Sequence, residues 1–304
     1  YLLMKFGQVD DLDLVDFSLP SIDKITKRNL SSIRKENNFN FYFGAPGWSD
    51  VKFKGIIYPN STSSKNFLNA YSKQFNSIEV NSTRYGIPKL NTLDKWYDSV
   101  GDDFKFSMKV PQFVTHRKDI NDYKSKIKTE EFLSSIHQLK EKSGVSFAVM
   151  AKYFKSSQFE ELEKFVNFWP SDAPLAVEFR NSSWFGTSVR AEWQDLFIKK
   201  NIIPVVTDTP GRRDVLHFNL SNNHLFLRYV GDFDHPSDLL RINKWVNKIS
   251  ELAILGIDNI WFYVHQPGEN RDRILHFYNN LIPRINKILN MNIPLLKDYR
   301  VDYK

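Results

Sequence analysis

Charged side chains recur in this chain where an apolar pattern should exclude them, at the ends of short β-rich runs. Glu79 and Asn81 close one run, Lys109 ends another, and Glu178 and Arg180 end a third. Asp208 follows Val205-Val206-Thr207, Arg228 sits inside residues 225–230, and His265 follows residues 260–264. Side chains alternate along a strand, so Glu79 shares a face with Asn81, and Glu178 with Arg180. A lone charge turned into an apolar layer costs roughly several kcal/mol of desolvation, so these groups must meet water, each other or a ligand. Two carboxylates near cations suit acid–base chemistry, because neighbouring ionisable groups can drive their pKa values apart. Glu79 and Glu178 are the expected proton-transfer or nucleophilic groups. Lys109, Arg180 and Arg228 are expected to bind an anion, with Asp208 and His116 orienting substrate or shuttling protons. Trp48 and Tyr85 could stack on a ring, and Asn81 and His265 complete the substrate-binding set.

Such a set needs a scaffold that brings strand ends together. Eight β-rich runs are found, at residues 41–44, 77–81, 104–110, 146–150, 175–179, 202–206, 225–230 and 260–264. Helical patterns separate most of them, near residues 65–75, 129–142, 159–166, 190–200 and 236–255, with another at 270–289. The 129–142 segment, for example, aligns Phe132, Leu133, Ile136 and Leu139 on one face. Strands alternating with crossover helices require a parallel sheet. Eight such units predict the α/β class, a single (β/α)₈ TIM-type barrel over residues 39–304, with its chemistry at the C-terminal ends of the strands. An open doubly wound sheet is the rival, and it usually carries a Gly-rich first turn that this chain lacks. Residues 1–38 stand outside the repeat. Val9, Leu12, Leu14, Val15 and Phe17 predict an extension that packs on the barrel, and Pro20 interrupts it.

Composition narrows the function classes. The 304 residues contain no Cys, which excludes disulfides, thiolate metal sites and a Cys nucleophile, and fits a cytoplasmic setting. No run of about 20 apolar residues is present, so no membrane span is expected. The first residues do not resemble a secretory signal. A net charge of +7 favours an anionic partner, a phosphorylated or sugar-like small molecule or nucleic acid, if the charge proves clustered. Part of the excess falls in residues 105–142 and part in residues 284–304. No nucleotide-cofactor motif appears, and neither do the Walker, zincin or nucleophile-elbow signatures. His116, His265, Glu79, Glu178 and Asp208 have the chemistry of divalent-metal ligands but no metal-binding spacing. The cofactor therefore stays open, with a metal not favoured.

Turns after the strands add further groups. Gly44-Ala45-Pro46-Gly47-Trp48 brings backbone N–H groups and an indole near the first strand end, and Thr115-His116 follows the third. Thr209-Pro210-Gly211-Arg212-Arg213 follows Asp208, and His265-Gln266-Pro267-Gly268 leads into the last helix. That helix N-terminus, with Gly231 and Gly268 nearby, could hold a phosphate.

The same residues resemble a known family. Gly44 to Trp48, Tyr58-Pro59, Glu79-Val80-Asn81-Ser82-Thr83-Arg84-Tyr85 and Ile87-Pro88 are similar to the YecE-like family, domain of unknown function 72. The similarity continues through Phe104, Phe106, Lys109-x-Pro111, Thr115-His116, Val177-Glu178-Phe179-Arg180, Ser183-Trp184, Asp208 to Gly211 and Arg228 to Gly231. The resemblance spans about residues 40–280 in order. It implies a TIM-barrel fold and carries no catalytic assignment. Two departures stand out: Phe147-Ala148-Val149-Met150-Ala151-Lys152 replaces a common Phe-Gln-Leu-Pro-Pro, and His265-Gln266 replaces an Asn pair. Ligand specificity would differ here if those positions touch it.

Three functions remain in competition. The favoured one is an enzyme, a hydrolase or a lyase, acting on a small anionic or sugar-like substrate; a glycosidase is one version, which the separation of the two carboxylates tests. A non-catalytic nucleic-acid or anion binder is the second. The third is an ion-pair network of Glu79, Glu178, Arg180 and Arg228 that merely plugs the scaffold. Oligomeric state is left open by the sequence.

Overall fold

The computed structural model describes residues 9, 11–33, 38–232, 235–266 and 272–300. Its strands are β1 (Asn40–Gly44), β2 (Ser77–Val80), β3 (Lys105–Met108), β4 (Ser146–Val149), β5 (Leu175–Glu178), β6 (Ile203–Asp208), β7 (His224–Val230) and β8 (Asn259–His265). The helices are α1 (Lys24–Ser32), α2 (Phe67–Ser72), α3 (Leu90–Asp98), α4 (Gln112–Thr115), α5 (Tyr123–Gln138), α6 (Phe159–Phe168), α7 (Thr187–Lys200), α8 (Ser237–Leu255) and α9 (Asp272–Leu289). The expected alternation of strand and helix is present. Every ladder is parallel, and the strands run as a six-stranded sheet, β1-β8-β7-β6-β5-β4, beside a two-stranded sheet, β2-β3. Isolated parallel bridges, Pro46 with Glu79 and Lys109 with Phe147, link the two sheets at both junctions.

Burial on both faces explains why the strands read as apolar runs rather than alternating ones. One face packs on the helices through residues such as Phe41, Phe43, Val80, Val206, Leu227 and Phe262. The other face gathers Phe147, Val149, Ala176, Val205, Phe226 and Tyr263 from β4 through β8. On this second face the Tyr263 hydroxyl lies 2.6 Å from Ser77 Oγ on β2 and donates to Ser107 Oγ on β3 at 2.8 Å. Two glycines are dictated by space and backbone. A Cβ at Gly44 would stand 2.0 Å from the Ser77 carbonyl oxygen, so only Gly lets β1 approach β2 so closely, and Gly47 turns the chain at φ 85°.

Ahead of β1, the Asp23 carboxylate caps α1 by accepting from Ile25 N and Thr26 N at 2.8 and 3.1 Å. Leu30 is buried, Thr26 Oγ1 accepts from Leu220 N at 2.8 Å, and Asn29 Nδ2 donates to the Ser221 carbonyl at 2.8 Å. Of the apolar residues expected to pack, Phe17 is buried whereas Leu14 is exposed. Residues 1–8, 10 and 34–37 of that extension, and Pro267 and Gly268 of the proposed phosphate turn, lie outside the described residues.

Candidate functional site

The strand register brings four of the expected charged groups onto the face that carries Tyr263. Arg228 is the register partner of Tyr263, Glu79 is two residues beyond Ser77, Lys109 two beyond Ser107, and Glu178 pairs with Val149. Their side chains meet at the C-terminal ends of the strands. The Arg228 guanidinium donates from Nε to Glu79 Oε2 at 3.0 Å and from Nη2 to Glu79 Oε1 at 2.8 Å, while Nη1 donates to Glu178 Oε2. Arg180 Nε donates to Glu178 Oε1 at 3.0 Å. His265 Nε2 lies 2.9 Å from Glu79 Oε2, and Asn81 Nδ2 donates to Glu79 Oε1 at 2.8 Å.

Both carboxylates stay ionised. Burial pushes the Glu79 carboxyl up, but the charges of Arg228 and His265 outweigh it and hold the group well below the usual range. Burial opposes Arg228, Arg180 and Lys109 in the same way at Glu178, whose pKa falls to about 2. Arg228 is correspondingly held charged: the two carboxylates overcome its burial and raise its pKa. Lys109 behaves differently. It is 5% exposed, forms no ion pair among the described residues, and donates only a long hydrogen bond of 3.4 Å to Asn81 Oδ1, with Nζ 5.8 Å from the centre of the Phe147 ring. Burial and the Arg228 charge pull its pKa to about 7 against the opposing influence of Glu79 and Glu178.

A residue that sequence reasoning missed completes the cluster. Thr207 is the register partner of Arg228 and so shares its face, is 4% exposed, and among the described residues its hydroxyl has no hydrogen-bond partner. Asp208, the next residue, therefore turns the other way, and the expectation that it joins the cluster is corrected. It is fully buried against α8, where Trp245 Nε1 donates to Oδ2 at 2.6 Å and Arg241 Nη1 donates to Oδ1 at 3.2 Å, with Arg213 also bound to Oδ1. Arg241, also missed, sits on the helix turn that faces β6 and pairs with Asp238 at 2.7 Å.

The aromatic expectations are also redistributed. Trp48 packs edge-on against Trp96 of α3, with ring centroids 5.0 Å apart, so its indole serves the helix layer. Tyr85 is 77% exposed and lines a separate groove of about 470 Å³ with Arg84, Pro111, Phe113, His116 and Arg117. His116 is half-buried there, its Nδ1 2.9 Å from Thr115 Oγ1. Burial, then the positive charges of Arg84, Arg180 and Lys109, lower its pKa to about 4 and keep it neutral near pH 7. Among the described residues no three His, Asp or Glu side chains are grouped to hold a metal ion, and no helix is long and apolar enough to cross a membrane.

A helix-covered parallel α/β protein with ionisable groups gathered at the C-terminal ends of its strands is the class that this fold and site define. The chain belongs to the family described as Protein of unknown function DUF72, whose model matches residues 42–284. It is 27% identical over 229 residues to the UPF0759 protein YecE of Escherichia coli strain K12, covering 69% of this chain and 81% of that one. Over 178 residues it is 27% identical to the UPF0759 protein YunF of Bacillus subtilis, covering 56% and 61% of the two chains. Among solved structures, a DUF72 family protein of Enterococcus faecalis superposes with a TM-score of 0.65 at 16% identity, over 85% of this chain and 98% of that one. A DUF72 family protein of Thermotoga maritima gives 0.60 at 23% identity, over 83% and 99%.

Proposed function

We propose that this chain is a cytoplasmic enzyme whose eight strands close into one (β/α)₈ barrel, and that it binds a small anionic substrate at the C-terminal mouth of that barrel. Closure is supported by the parallel bridges at both sheet junctions and by Tyr263, which joins β8 to β2 and β3 through one hydroxyl. It is supported again by Arg228, which ties β7 to β2 and β5 at once.

The observation that carries the anion site is a surplus of donors. Glu79 and Glu178 face three cationic side chains, Lys109, Arg180 and Arg228, and on the same face the buried hydroxyl of Thr207 has no hydrogen-bond partner among the described residues. Of the five N–H donors in a guanidinium, Arg228 uses three on the two carboxylates. An oxyanion supplies the acceptors that this set lacks. In the same reading Lys109 is the group that exchanges protons, because burial and the neighbouring Arg228 charge bring its pKa to about 7. Glu79 and Glu178 act as fixed negative charges, which departs from the proton-transfer role their sequence positions suggest. The Arg228 guanidinium bridges the two carboxylates, where a glycosidase would seat the scissile bond, so sugar hydrolysis finds no support.

Thr207→Val tests the site. The isosteric change removes a hydroxyl that has no hydrogen-bond partner among the described residues, so thermal stability should hold or rise slightly. Affinity for phosphate or a sugar phosphate, measured by calorimetry, should fall about 5- to 10-fold, the value of roughly one hydrogen bond. Unchanged affinity, or no anion binding by the parent protein, would remove the anion site. The binding-only alternative draws on the exposed Tyr85 and Phe113 beside Arg84 and Arg117. A steep salt dependence of binding to many unrelated nucleic-acid sequences would favour it.

A further inference from the structure

We infer that Lys109 is a nucleophile that forms an imine with the carbonyl carbon of a small anionic aldehyde or ketone, held by the neighbouring Arg180, Arg228 and Thr207. The inference rests on the anion-binding reading above and names its substrate class.

A buried lysine ordinarily has a carboxylate to hold its charge. Lys109 has none within ion-pair distance among the described residues, although Glu79 and Glu178 stand in the same cluster. Both of those carboxylates are taken by Arg228, with Arg180 adding to one and His265 to the other. The amine is left with the side-chain amide oxygen of Asn81, a neutral acceptor that orients Nζ without demanding a proton on it. Desolvation beside a second cation is the arrangement that frees a lysine lone pair for attack on a carbonyl. Burial, with the charges of Arg228 and Arg180, outweighs the opposing charges of Glu79 and Glu178 and leaves it half-deprotonated near pH 7. An ordinary surface lysine at that pH is almost wholly protonated and unreactive.

The chemistry balances within the site. The nitrogen lone pair forms the C–N bond as the carbonyl π electrons move to oxygen, giving a carbinolamine. Loss of that oxygen breaks the C–O bond, and the two hydrogens of the neutral amine leave with it as water. Protonation of the imine from solvent then makes an electron sink for cleavage or proton removal at the adjacent carbon. No oxidant or further reactant is needed.

Trapping tests this directly. The whole protein is incubated with pyruvate or glycolaldehyde phosphate and sodium cyanoborohydride, and the modified lysines are located by peptide mass spectrometry. Lactate and phosphoglycolate, which lack the reactive carbonyl, are the binding controls in calorimetry. The expected result is a reduced adduct concentrated on Lys109, with a rate half-maximal near pH 7, while other lysines label more slowly and faster with rising pH. Lys109→Met should abolish the adduct at that site, and its melting curve reports whether it folds. Lactate or phosphoglycolate binding without an adduct at Lys109 overturns the imine and leaves the anion site standing. Labelling of Lys109 no faster than exposed lysines overturns the imine as well. Neither binding nor adduct overturns the imine together with the anion site beneath it.

Discussion

Replacing Arg228 with Met probes the frame on which the cluster depends. The guanidinium serves Glu79, which is fully buried, and Glu178, which is 1% exposed. Removing one partner of a buried pair typically costs about 3–5 kcal/mol, because the remaining charge is left without compensation. One substitution here strips two carboxylates, yet neither is left bare. Glu178 keeps Arg180, and Glu79 keeps Asn81 and His265. Lys109 supplies further relief: the Arg228 charge helps lower its pKa, so without that charge it retains its proton to higher pH and can turn to the carboxylates. These responses hold the expected loss near about 3–5 kcal/mol at pH 7 rather than twice that, still a large part of the ~5–15 kcal/mol that stabilises a domain. Urea denaturation of the parent and Arg228→Met measures it. Adding Glu79→Gln to the variant should recover part of the loss, since a neutral amide needs no cation, and the cycle gives the coupling directly. A loss under about 1 kcal/mol, or strictly additive effects of the two substitutions, would refute the view that Arg228 is held by both carboxylates.

Two more outcomes follow from the same geometry. Between pH 7 and 10.5 the unfolded chain binds a proton at Lys109 that the folded chain does not, so the stability of the parent protein rises with pH through that window. Below it the folded protein bears the full cost of a buried ammonium, on the order of 5 kcal/mol. Lys109→Met should therefore be more stable than the parent in melts at pH 6, with an advantage that shrinks toward pH 10; an advantage independent of pH contradicts this. The packing proposed for the first 38 residues predicts that deleting them lowers the melting temperature while the strand core stays folded by circular dichroism. Loss of buried Leu30 and of the Thr26 contacts to Leu220 should cost at least about 2–3 kcal/mol, and an unchanged melting temperature would count against any such role.

Strand positions were legible because each run is apolar and bounded by turn residues; residues 41–44 and 146–150 become Asn40–Gly44 and Ser146–Val149. Helix starts were less so. The helix expected at 129–142 begins at Tyr123, where Asp122 accepts from Ser125 N at 2.7 Å, and its first turns are Lys-rich with little apolar periodicity to mark them. Inward and outward faces could be read for β2, β5 and β7, since a charge inside an apolar strand has to face the cluster. β6 carries no such marker before its end: Ile203 to Val206 are apolar on both faces, so Asp208 was legible as a strand-end acid but not as one turned toward α8. Thr207 stayed hidden for the same reason, its chemistry modest and its face unassigned. Trp48 and Tyr85 were separated by loop geometry that periodicity does not describe.

Adjacent residues of β6 thus look onto two ionic networks, and the contrast between them supports the proposed site on one of them. Asp208 has Trp245, Arg241 and Arg213 around its carboxylate, and the Arg241 guanidinium also pairs with Asp238. The same guanidinium lies over the rings of Tyr229 and Phe17, at 4.2 and 5.1 Å, which cover it within the helix layer. That network gives each carboxylate a cation under α8, which suits a structural joint, although Arg241 Nε has no hydrogen-bond partner among the described residues. On the opposite face the Glu79–Arg228–Glu178 bridge is equally buried, but among the described residues Lys109 has no carboxylate in ion-pair range and the Thr207 hydroxyl has no hydrogen-bond partner. Buried polar groups in folded proteins are satisfied with few exceptions, and an exception calls for a specific cause. Thr207 is such an exception on the face of Arg228, and with Lys109 bonded only to a neutral amide among the described residues it supports the proposed anion site at the strand ends, where parallel α/β proteins bind their ligands.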